Sequence, residues 1–194
     1  GVTKGSGAHF FLGLFLNQNG LEFSDVEIVD MKADELTQAL ADGRVDVISV
    51  WEPHIADAQK LLGEKAVLFE SKGIFRDDFY FVATKDFIKS HPNALKRFLS
   101  AINKADTFIK NNKIETIDIV SQRTKNDREL ATSLWGLFSF GLFLDQTILL
   151  SLEAEARWAI NNKLVEQEKS PNYLNFIYFD ALEAVKPEVV TIIH

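Results

Sequence analysis

The chain has 194 residues, of which 46% are hydrophobic and 25% are charged, and this composition is typical of a folded globular protein and excludes a disordered one. Its net charge of −7 and its pI near 5.1 exclude a general electrostatic attraction to nucleic acid or to an anionic membrane, while a local anion site stays open. The chain contains no cysteine, which excludes disulfides, thiolate metal ligands and cysteine nucleophiles.

The first twenty residues predict a strand, a tight turn and a helix. Residues 2–3 are typical of the end of a strand, and the small residues 5–7 are typical of a turn. An apolar helix is predicted from His9 to about residue 19, with Gly20 ending it. Such a unit usually lies in the middle of an α/β domain. We therefore expect the chain to begin inside its fold.

Two more strands alternate with a second helix. Residues 26–31 alternate apolar and acidic side chains, as a half-buried strand does. Residues 33–43 predict a helix that Gly43 ends, and the β-branched run 45–51 predicts a strand that Pro53 ends. The order strand, helix, strand, helix, strand predicts a parallel sheet that helices cover on both faces.

The centre of the chain changes from strands to helices. Residues 66–71 and 79–84 are two further strand candidates, joined by a charged, glycine-containing link. From residue 90 the apolar residues recur at helical spacing, and Pro92 lies near the start of a long helix. Helices are also predicted over residues 114–122, 127–144 and 147–162, and Asp180 and Glu183 predict a capping box before Pro187 ends a short final helix.

The most hydrophobic run of the chain is residues 134–144, LWGLFSFGLFL. It is too short to span a membrane, and polar residues follow it at 145 and 146. We expect this run to form a buried helix.

The turn at residues 5–7 is the first candidate site. Its glycines allow a tight turn, Ser6 offers a hydroxyl, and the free N–H groups at the start of the next helix attract anions such as nitrate, sulfonate, carboxylate or phosphate. It is not a dinucleotide fingerprint, because Phe10 stands where a third glycine is needed, and no lysine completes a phosphate loop. A plain strand-to-helix turn that needs small residues explains the same spacing.

The stretch VWEPH at the end of the third strand is the second candidate site. It places Trp51 and Glu52 at the carboxyl edge of a parallel sheet, where open α/β sheets bind ligands. Trp51 could stack on a ligand or on a cation, or belong to the core beside the turn at Pro53. Glu52 could accept hydrogen bonds from an amine, or from nearby backbone N–H groups.

The histidines give no catalytic or metal-binding pattern. The four histidines, His9, His54, His91 and His194, have no metal-ligand spacing with carboxylates, and none pairs with a serine and an acid. We therefore predict no catalytic residue, no metal site and no cofactor. His9 lies in the first turn of the first helix, where ligand contact and a capping hydrogen bond explain it equally well, and Lys4 beside it could complement an anion.

Four segments, in this order, resemble one protein family: GVTKGSGAHFFL, LTQALADGRVDVISVWEPH, FYFVATKDFIKSHPNALKRFLSAINKA and YFDALEAVKPEVV. They are similar to the periplasmic substrate-binding proteins of nitrate, sulfonate and taurine type ABC importers. The most specific of these elements are the small-residue turn before Ala8 and His9, the run from Gly43 to Pro53, and the stretch FIKSHP before the long helix. The resemblance covers nearly the whole chain.

This resemblance implies an α/β fold of the type II periplasmic-binding-protein class. Residues 1–78 would be a second-lobe-like unit with a parallel sheet, and residues 79–194 would be a crossover strand and a mainly helical return into the first lobe. The N-terminal part of the first lobe would be missing. The residues that would face the ligand cleft are Ser6, Gly7, Ala8, His9, Trp51 and Glu52.

The resemblance also implies a function without catalysis. The chain would be the extracytoplasmic, periplasmic solute-binding component of an ABC importer, which captures a small anion or zwitterion and delivers it to a membrane permease, with no nucleic acid partner. An incomplete first lobe is expected to expose apolar surface and so to favour a homodimer. A ligand-sensing module of a signalling protein and a relative that binds a thiamin pyrimidine precursor are the alternatives. An amino-sulfonate fits both Glu52 and the helix end, whereas nitrate fits only the helix end.

Overall fold

The computed structural model describes residues 1–69, 73–125 and 127–193, and the chain forms two compact units. The first unit consists of Gly1–Phe79 with Glu155–Ser170, and the second of Tyr80–Ala154 with Pro171–His194. The last two residues of the predicted strand 66–71, and His194, lie outside the described residues. The division into lobes at residue 78 stays a prediction.

Helices dominate both units. Within the described residues the α-helices are α1 Gly7–Gln18, α2 Ala33–Ala41, α3 His54–Leu62, α4 Lys85–Ser90, α5 Pro92–Asn111, α6 Lys113–Thr124, α7 Arg128–Leu134, α8 Gln146–Asn161 and α9 Asp180–Glu183. Short 3-10 helices lie at Phe23–Asp25, Gly63–Lys65, Trp135–Leu137, Tyr173–Phe176 and Pro187–Val189. The helices predicted near α1, α2, α5, α6 and α8 are confirmed, with boundaries that differ by one or two residues.

Local capping explains where several helices begin and end. The side chain of Thr84 accepts the N–H of Phe87 at 3.2 Å at the start of α4, and Asp127 accepts the N–H of Leu130 at 2.6 Å at the start of α7. Pro92 is the first residue of α5, where its missing N–H costs no helical bond. Gly20 and Gly43 follow α1 and α2 with φ of +72° and +68°, a left-handed conformation that favours glycine and ends both helices as predicted.

The predicted parallel sheet is present in direction and order but not in extent. Val2 forms parallel bridges with Asp30 on one side and with Ser49 on the other. The N–H of Val2 donates to the carbonyl of Val29 at 3.1 Å, and the N–H of Ser49 donates to the carbonyl of Gly1 at 2.9 Å. Only residues 1–3 of the central segment take part, so each pairing stays a single bridge rather than a ladder.

Two other strand predictions are wrong for the residues described. Residues 66–69 and 79–84 have no regular secondary structure and make no bridge to another described segment. A β-forming sequence becomes a strand only where a neighbour supplies its hydrogen-bond partners. Without one, this stretch keeps apolar side chains in solvent, and Val82 is 91% exposed.

The buried helix predicted over residues 134–144 is also wrong. Helix α7 ends at Leu134, a 3-10 turn follows, and the chain then runs without helix to Leu144, which forms a parallel bridge with Val190. Two glycines and several aromatic residues, which favour helix weakly, explain the early end. Leu137 is 69% exposed, so the run is not a core element.

The short final helix also differs from its predicted cap. Helix α9 begins at Asp180 itself, with Phe179 as the residue before it, so Asp180 is not the capping residue. Pro187 begins a 3-10 turn after α9, which agrees with its predicted role as a stop.

Each unit has its own core. In the first, Val2 and Leu36 are fully buried and α2 packs against α3. In the second, Leu149, Phe179 and Ile192 form a cluster, and α5 packs against α4, α6 and α9. Searching the described residues for a membrane span finds no helix that combines the length and the hydropathy that crossing requires.

Candidate functional site

The carboxyl ends of the three parallel segments meet at the turn before α1. The hydroxyl of Ser49 donates to the carbonyl of Ala8 at 2.8 Å, which ties the third segment to the first turn of α1. The N–H of Lys4 donates to Asp30 at 3.0 Å, and the hydroxyl of Thr3 donates to the carbonyl of Met31 at 2.8 Å. This is the edge at which open parallel sheets bind ligands.

Ser6 organises this turn with both functions of its hydroxyl. Its oxygen accepts the N–H of His9 at 3.3 Å, which makes Ser6 the N-cap of α1. Its proton is donated to the carbonyl of Thr3 at 2.6 Å. The hydroxyl proton of Ser6 is therefore held within the chain, and Ser6 shapes the turn.

Two backbone donors of the first turn have no acceptor within the described residues. The N–H groups of His9 and Phe10 both donate to the carbonyl of Ser6, at 3.0 Å and 3.1 Å. The N–H groups of Gly7 and Ala8 have no such partner in the part of the chain that the structure describes. Helix N-termini with free N–H groups attract anions, because the helix dipole places partial positive charge there.

His9 is buried, with 5% of its surface exposed, and its tautomer follows from one hydrogen bond. The N–H of Gly5 donates to Nδ1 of His9 at 3.2 Å, so the ring proton is on Nε2. Burial lowers the pKa of His9, the nearby Lys4 lowers it further, and Asp30 opposes both. The imidazole is therefore neutral near pH 7.

The other side of the His9 ring lies in an aromatic cluster. Its centroid is 5.3 Å from that of Phe23 and 4.8 Å from that of Trp158, the latter in an edge-to-face arrangement. Among the described residues Nε2–H of His9 has no hydrogen-bond acceptor. Of the two roles that the sequence leaves open, the hydrogen bond from Gly5 is the structural one.

Asp77 lies at the same helix end, and sequence reasoning missed it. A Cβ atom built on Gly7 would lie 3.7 Å and 4.0 Å from the two carboxylate oxygens of Asp77. Burial, and then the charge of Asp78, raise the pKa of Asp77. The only hint in the sequence is the charged triplet at residues 76–78, which interrupts two apolar stretches.

Trp51 and Glu52 follow the third segment but serve different purposes. Trp51 is 45% exposed and packs its ring edge-to-face with His54 at 6.2 Å, so it is not a core tryptophan. Glu52 accepts the N–H of Ala56 at 3.1 Å and so satisfies the start of α3. The carboxylate of Glu52 is thus held by the backbone, which is the second of its two sequence interpretations.

A shallow cavity of about 370 Å³ lies at this edge, beside the turn. It is large enough for a small organic anion, and both lysines and carboxylates line it. A search of the described residues finds no group of three His, Asp or Glu side chains that could hold a metal ion. The lining residues of the cavity are Thr3, Lys4, Asp30, Met31, Lys32 and Glu35.

Comparison with known proteins identifies relatives of this chain. Residues 1–115 match the family described as NMT1/THI5 like. An aliphatic sulfonates-binding protein of Bacillus subtilis (strain 168) is 34% identical over 134 residues, which are 69% of this chain and 40% of that protein. A binding protein of Brucella abortus (strain 2308) is 25% identical over 131 residues, which are 66% of this chain and 41% of that protein. The chain thus spans about two fifths of the length of these curated relatives.

Solved structures share the fold. The periplasmic aliphatic sulphonate binding protein SsuA from Escherichia coli superimposes with a TM-score of 0.78 at 18% identity, over 93% of this chain and 62% of that one. The alkanesulfonate-binding protein SsuA from Xanthomonas axonopodis pv. citri, bound to MOPS, gives a TM-score of 0.74 at 19% identity, over 87% and 59% of the two chains. At such identities the likeness shows a common fold.

Proposed function

This chain belongs to the NMT1/THI5-like family, and from that premise we propose that it is a ligand-binding part of the solute-binding component of an ABC importer. Its ligand is a small anion or zwitterion of the nitrate, sulfonate and taurine class, held at the carboxyl edge of the parallel segments. The names of the Bacillus subtilis relative and of the two solved proteins, all sulfonate-binding, support this class.

One observation carries the proposal: the two free N–H groups of Gly7 and Ala8 at the start of α1. A tetrahedral or planar oxyanion presents two oxygens that accept from two adjacent N–H groups, and the helix dipole adds favourable charge. Hydrogen bonds to a charged acceptor are about twice as strong as neutral ones. The first turn of α1 therefore supplies the anion-binding half of the site.

The remaining candidate residues shape and border this position. Ser6 holds the turn through its two hydrogen bonds, and His9 offers a neutral donor at Nε2. Trp51 presents an exposed aromatic surface that suits an apolar part of the ligand, and Glu52 positions α3 behind it. We propose these roles for the six residues that the family resemblance implies.

The proposed partner is a membrane permease, and the proposed location is outside the cytoplasm. The Escherichia coli structure with the same fold is described as periplasmic, which supports that location. Release of the ligand to a permease needs no chemistry in the binding protein.

Two substitutions of one residue test the proposal. Gly7 is the first residue of α1, and Ser6 before it has an extended ψ of 168°, which suits the residue that precedes a proline. Gly7→Pro thus removes one free N–H without removing a helical bond, whereas Gly7→Ala keeps that N–H. A Cβ atom here meets its nearest neighbour at an ordinary 3.7 Å, so the methyl group of Gly7→Ala fits without a clash.

Calorimetric titration of the full chain with 2-aminoethanesulfonate, ethanesulfonate and nitrate gives the result. We expect Gly7→Ala to bind within about threefold of the wild type and Gly7→Pro to bind about tenfold more weakly, which is the loss of one hydrogen bond to a charged group. Equal binding by the two variants, or no binding of any compound by the folded wild type, would contradict the proposal. Circular dichroism of both variants checks that α1 is intact.

A further inference from the structure

We propose that the solvent-exposed side of helix α5 is a membrane-contact face, which holds the chain reversibly against lipid headgroups of net negative charge. The inference goes beyond the proposed function, because ligand capture and membrane contact use different residues. It rests on that function in one respect: the proposed location outside the cytoplasm favours a lipid surface over nucleic acid as the anionic partner.

The charge of the chain is unevenly distributed along its sequence. Residues 84–113, which contain α4 and α5, carry seven lysines and arginines and two carboxylates, although the whole chain has a net charge of −7. One of these carboxylates, Asp106, is buried and already pairs with Lys110 at 2.8 Å. Salt screens exposed charges that are more than about 8 Å apart at physiological ionic strength. A local basic surface is therefore attracted to an anionic one even on a chain of negative net charge.

Helical spacing puts exposed cations of α5 on one side of the helix. Arg97 and Lys104 are seven residues apart, which is about two turns, and both are exposed. Phe108 follows Lys104 by one turn and is 37% exposed on the same side. Asp106 lies two residues from both Lys104 and Phe108 and so points to the opposite side, where Lys186 reaches it at 3.7 Å from the end of α9. The membrane-contact face, with Arg97, Lys104 and Phe108, is thus the side of α5 that Asp106 does not share.

The cations of this region are available to a partner. Lys89 in the last turn of α4, Arg97 and Lys104 form no ion pair with any residue that the structure describes. Helix α4 packs against α5, so Lys89 adds to the positive charge beside the membrane-contact face. Each lysine or arginine near an anionic membrane surface strengthens binding about fivefold.

Exposed phenylalanines accompany these cations and are the second observation. Phe87 on α4 and Phe98 on α5 are each 42% exposed. The ring of Phe98 packs edge-to-face against that of Phe81, with 4.9 Å between the centroids. Helices that lie at a membrane surface combine lysine and arginine with phenylalanine or leucine, because the cations meet anionic headgroups while the apolar side chains enter the boundary of the acyl chains. Residues of both kinds are present on α4 and α5.

Co-sedimentation with vesicles tests the proposal on the whole chain. One set of vesicles is phosphatidylcholine alone, and the other is equal parts of phosphatidylcholine and phosphatidylglycerol. The test variant combines Arg97→Glu with Lys104→Glu. The matched control combines Lys60→Glu with Lys65→Glu, since these lysines are also exposed, belong to the first unit and change the net charge by the same amount.

We expect the wild type and the control to bind the vesicles that contain phosphatidylglycerol at least about tenfold more tightly than those of phosphatidylcholine. The test variant loses this preference, and about 0.5 M NaCl abolishes it for all three proteins, because salt screens the attraction. Circular dichroism and thermal midpoints check that both double variants are folded.

Three results would overturn the membrane-contact face. They are equal binding of the wild type to both kinds of vesicle, binding to neither, and an equal loss of binding in the test variant and the control. Tighter binding of the wild type to duplex DNA than to phosphatidylglycerol would also overturn it, because the face would then serve nucleic acid.

Titration of the same proteins with 2-aminoethanesulfonate separates this inference from the proposed function. Arg97 and Lys104 belong to the second unit and the candidate ligand site to the first, so the test variant is expected to bind this compound like the wild type. Vesicle binding that depends on Arg97 and Lys104 supports the membrane-contact face even where the wild type binds none of the proposed ligands. That combination would overturn the proposed function alone.

Discussion

The hydroxyl of Ser49 and the carbonyl of Ala8 are joined by a hydrogen bond of 2.8 Å across 41 residues of sequence. Ser49 also forms the parallel bridge with Val2, so one residue fixes both the strand pairing and the start of α1. The side chain of Ser49 is buried, and its donor has no alternative in solvent. The position of the candidate anion site relative to the third parallel segment depends on this contact.

Ser49→Ala is expected to lower the free energy of unfolding by about 1 kcal/mol, which is the typical net value of one buried hydrogen bond. Urea unfolding followed by circular dichroism measures it. Ser24→Ala, at an exposed position, is the matched control and is expected to change stability by less than about 0.5 kcal/mol. An equal effect of the two substitutions would show that the Ser49 bond contributes nothing.

His9 predicts that stability falls on the acid side of neutrality. Its pKa is lowered in the folded chain by burial and by Lys4, while an unfolded histidine titrates near about 6.5. As the pH falls through the pKa of the unfolded histidine, the unfolded state binds more protons than the folded state does. The contribution of His9 to stability is therefore full above that pKa and is lost below it. Thermal midpoints between about pH 8 and pH 5.5 measure this slope.

His9→Phe keeps a ring within the contacts to Phe23 and Trp158 but cannot take up a proton. We expect a lower midpoint at every pH, because the N–H of Gly5 loses its acceptor, and a flatter pH dependence than in the wild type. The change of slope, rather than the loss of stability, is the diagnostic result. A slope unchanged by the substitution would assign the pH dependence to other groups.

The raised pKa of Glu155 predicts a pH dependence of stability with the opposite sign, in a more acidic range. Burial and the charges of Asp77 and Asp78 raise its pKa, so the folded chain takes up this proton more readily than the unfolded one. Between the pKa of an unfolded glutamate, about 4.3, and the raised pKa of Glu155 in the folded chain, the free energy of unfolding decreases as the pH rises. At neutral pH the full destabilisation by the ionised carboxylate remains. Glu155→Gln is therefore expected to raise stability at pH 7 by about 0.5–1 kcal/mol.

The gain from Glu155→Gln is expected to disappear as the pH falls to about 4, where the native carboxyl is protonated as well. Glu168→Gln, at an exposed position, serves as the control, with an expected effect below about 0.5 kcal/mol. Urea titrations at three pH values test both variants. A stabilisation that persists at low pH would point to packing instead of charge.

The buried carboxylate of Asp106 depends on two lysines in the second unit. Its Oδ2 lies 2.8 Å from Nζ of Lys110, one turn further along α5, and 3.7 Å from Nζ of Lys186. Lys110→Met is expected to destabilise the chain by about 1–2 kcal/mol, because it removes the closer partner of a carboxylate that is 5% exposed. Lys104→Met, at an exposed position on the same helix, is expected to be nearly neutral.

A double substitution separates pairing from packing at Asp106. If the ion pair is the cause, Lys110→Met combined with Asp106→Leu costs less than the sum of the two single changes, because no buried charge is left without its partner. Strict additivity in urea unfolding would exclude coupling between these two side chains.

Sequence reasoning located helices well because their signals are local. The spacing of apolar residues, the helix start at Pro92 and the stops at Gly20 and Gly43 all lie within a few residues of the element that they define. Strands depend on distant partners. Residues 45–51 found one partner at Val2 and residues 79–84 found none among the described segments, although both runs have β-forming composition.

In the candidate site too, features set by neighbouring residues could be predicted, whereas contacts between residues far apart in sequence could not. The free N–H groups at the start of α1 follow from the turn itself, and the sequence predicted them. The capping role of Ser6 was not predicted. The ring contact of His9 with Trp158 and the nearness of Gly7 to Asp77 join residues 149 and 70 positions apart, and no spacing rule brings them together. The sequence allows Glu52 to accept a hydrogen bond from an amine or from the backbone, and the structure shows the backbone bond, from the N–H of Ala56.

The uncovered stretch at Phe81 and Val82 has a consequence for handling the protein. With exposures of 63% and 91%, these residues form a bare ribbon of β-forming side chains, next to backbone that joins no described strand. An exposed segment of this kind can pair with an extended segment of another chain as an additional strand. It is also the type of surface that chaperones bind. Concentrated samples are thus expected to aggregate through this segment. Val82→Lys is expected to reduce the aggregation, because a charge interrupts the apolar run.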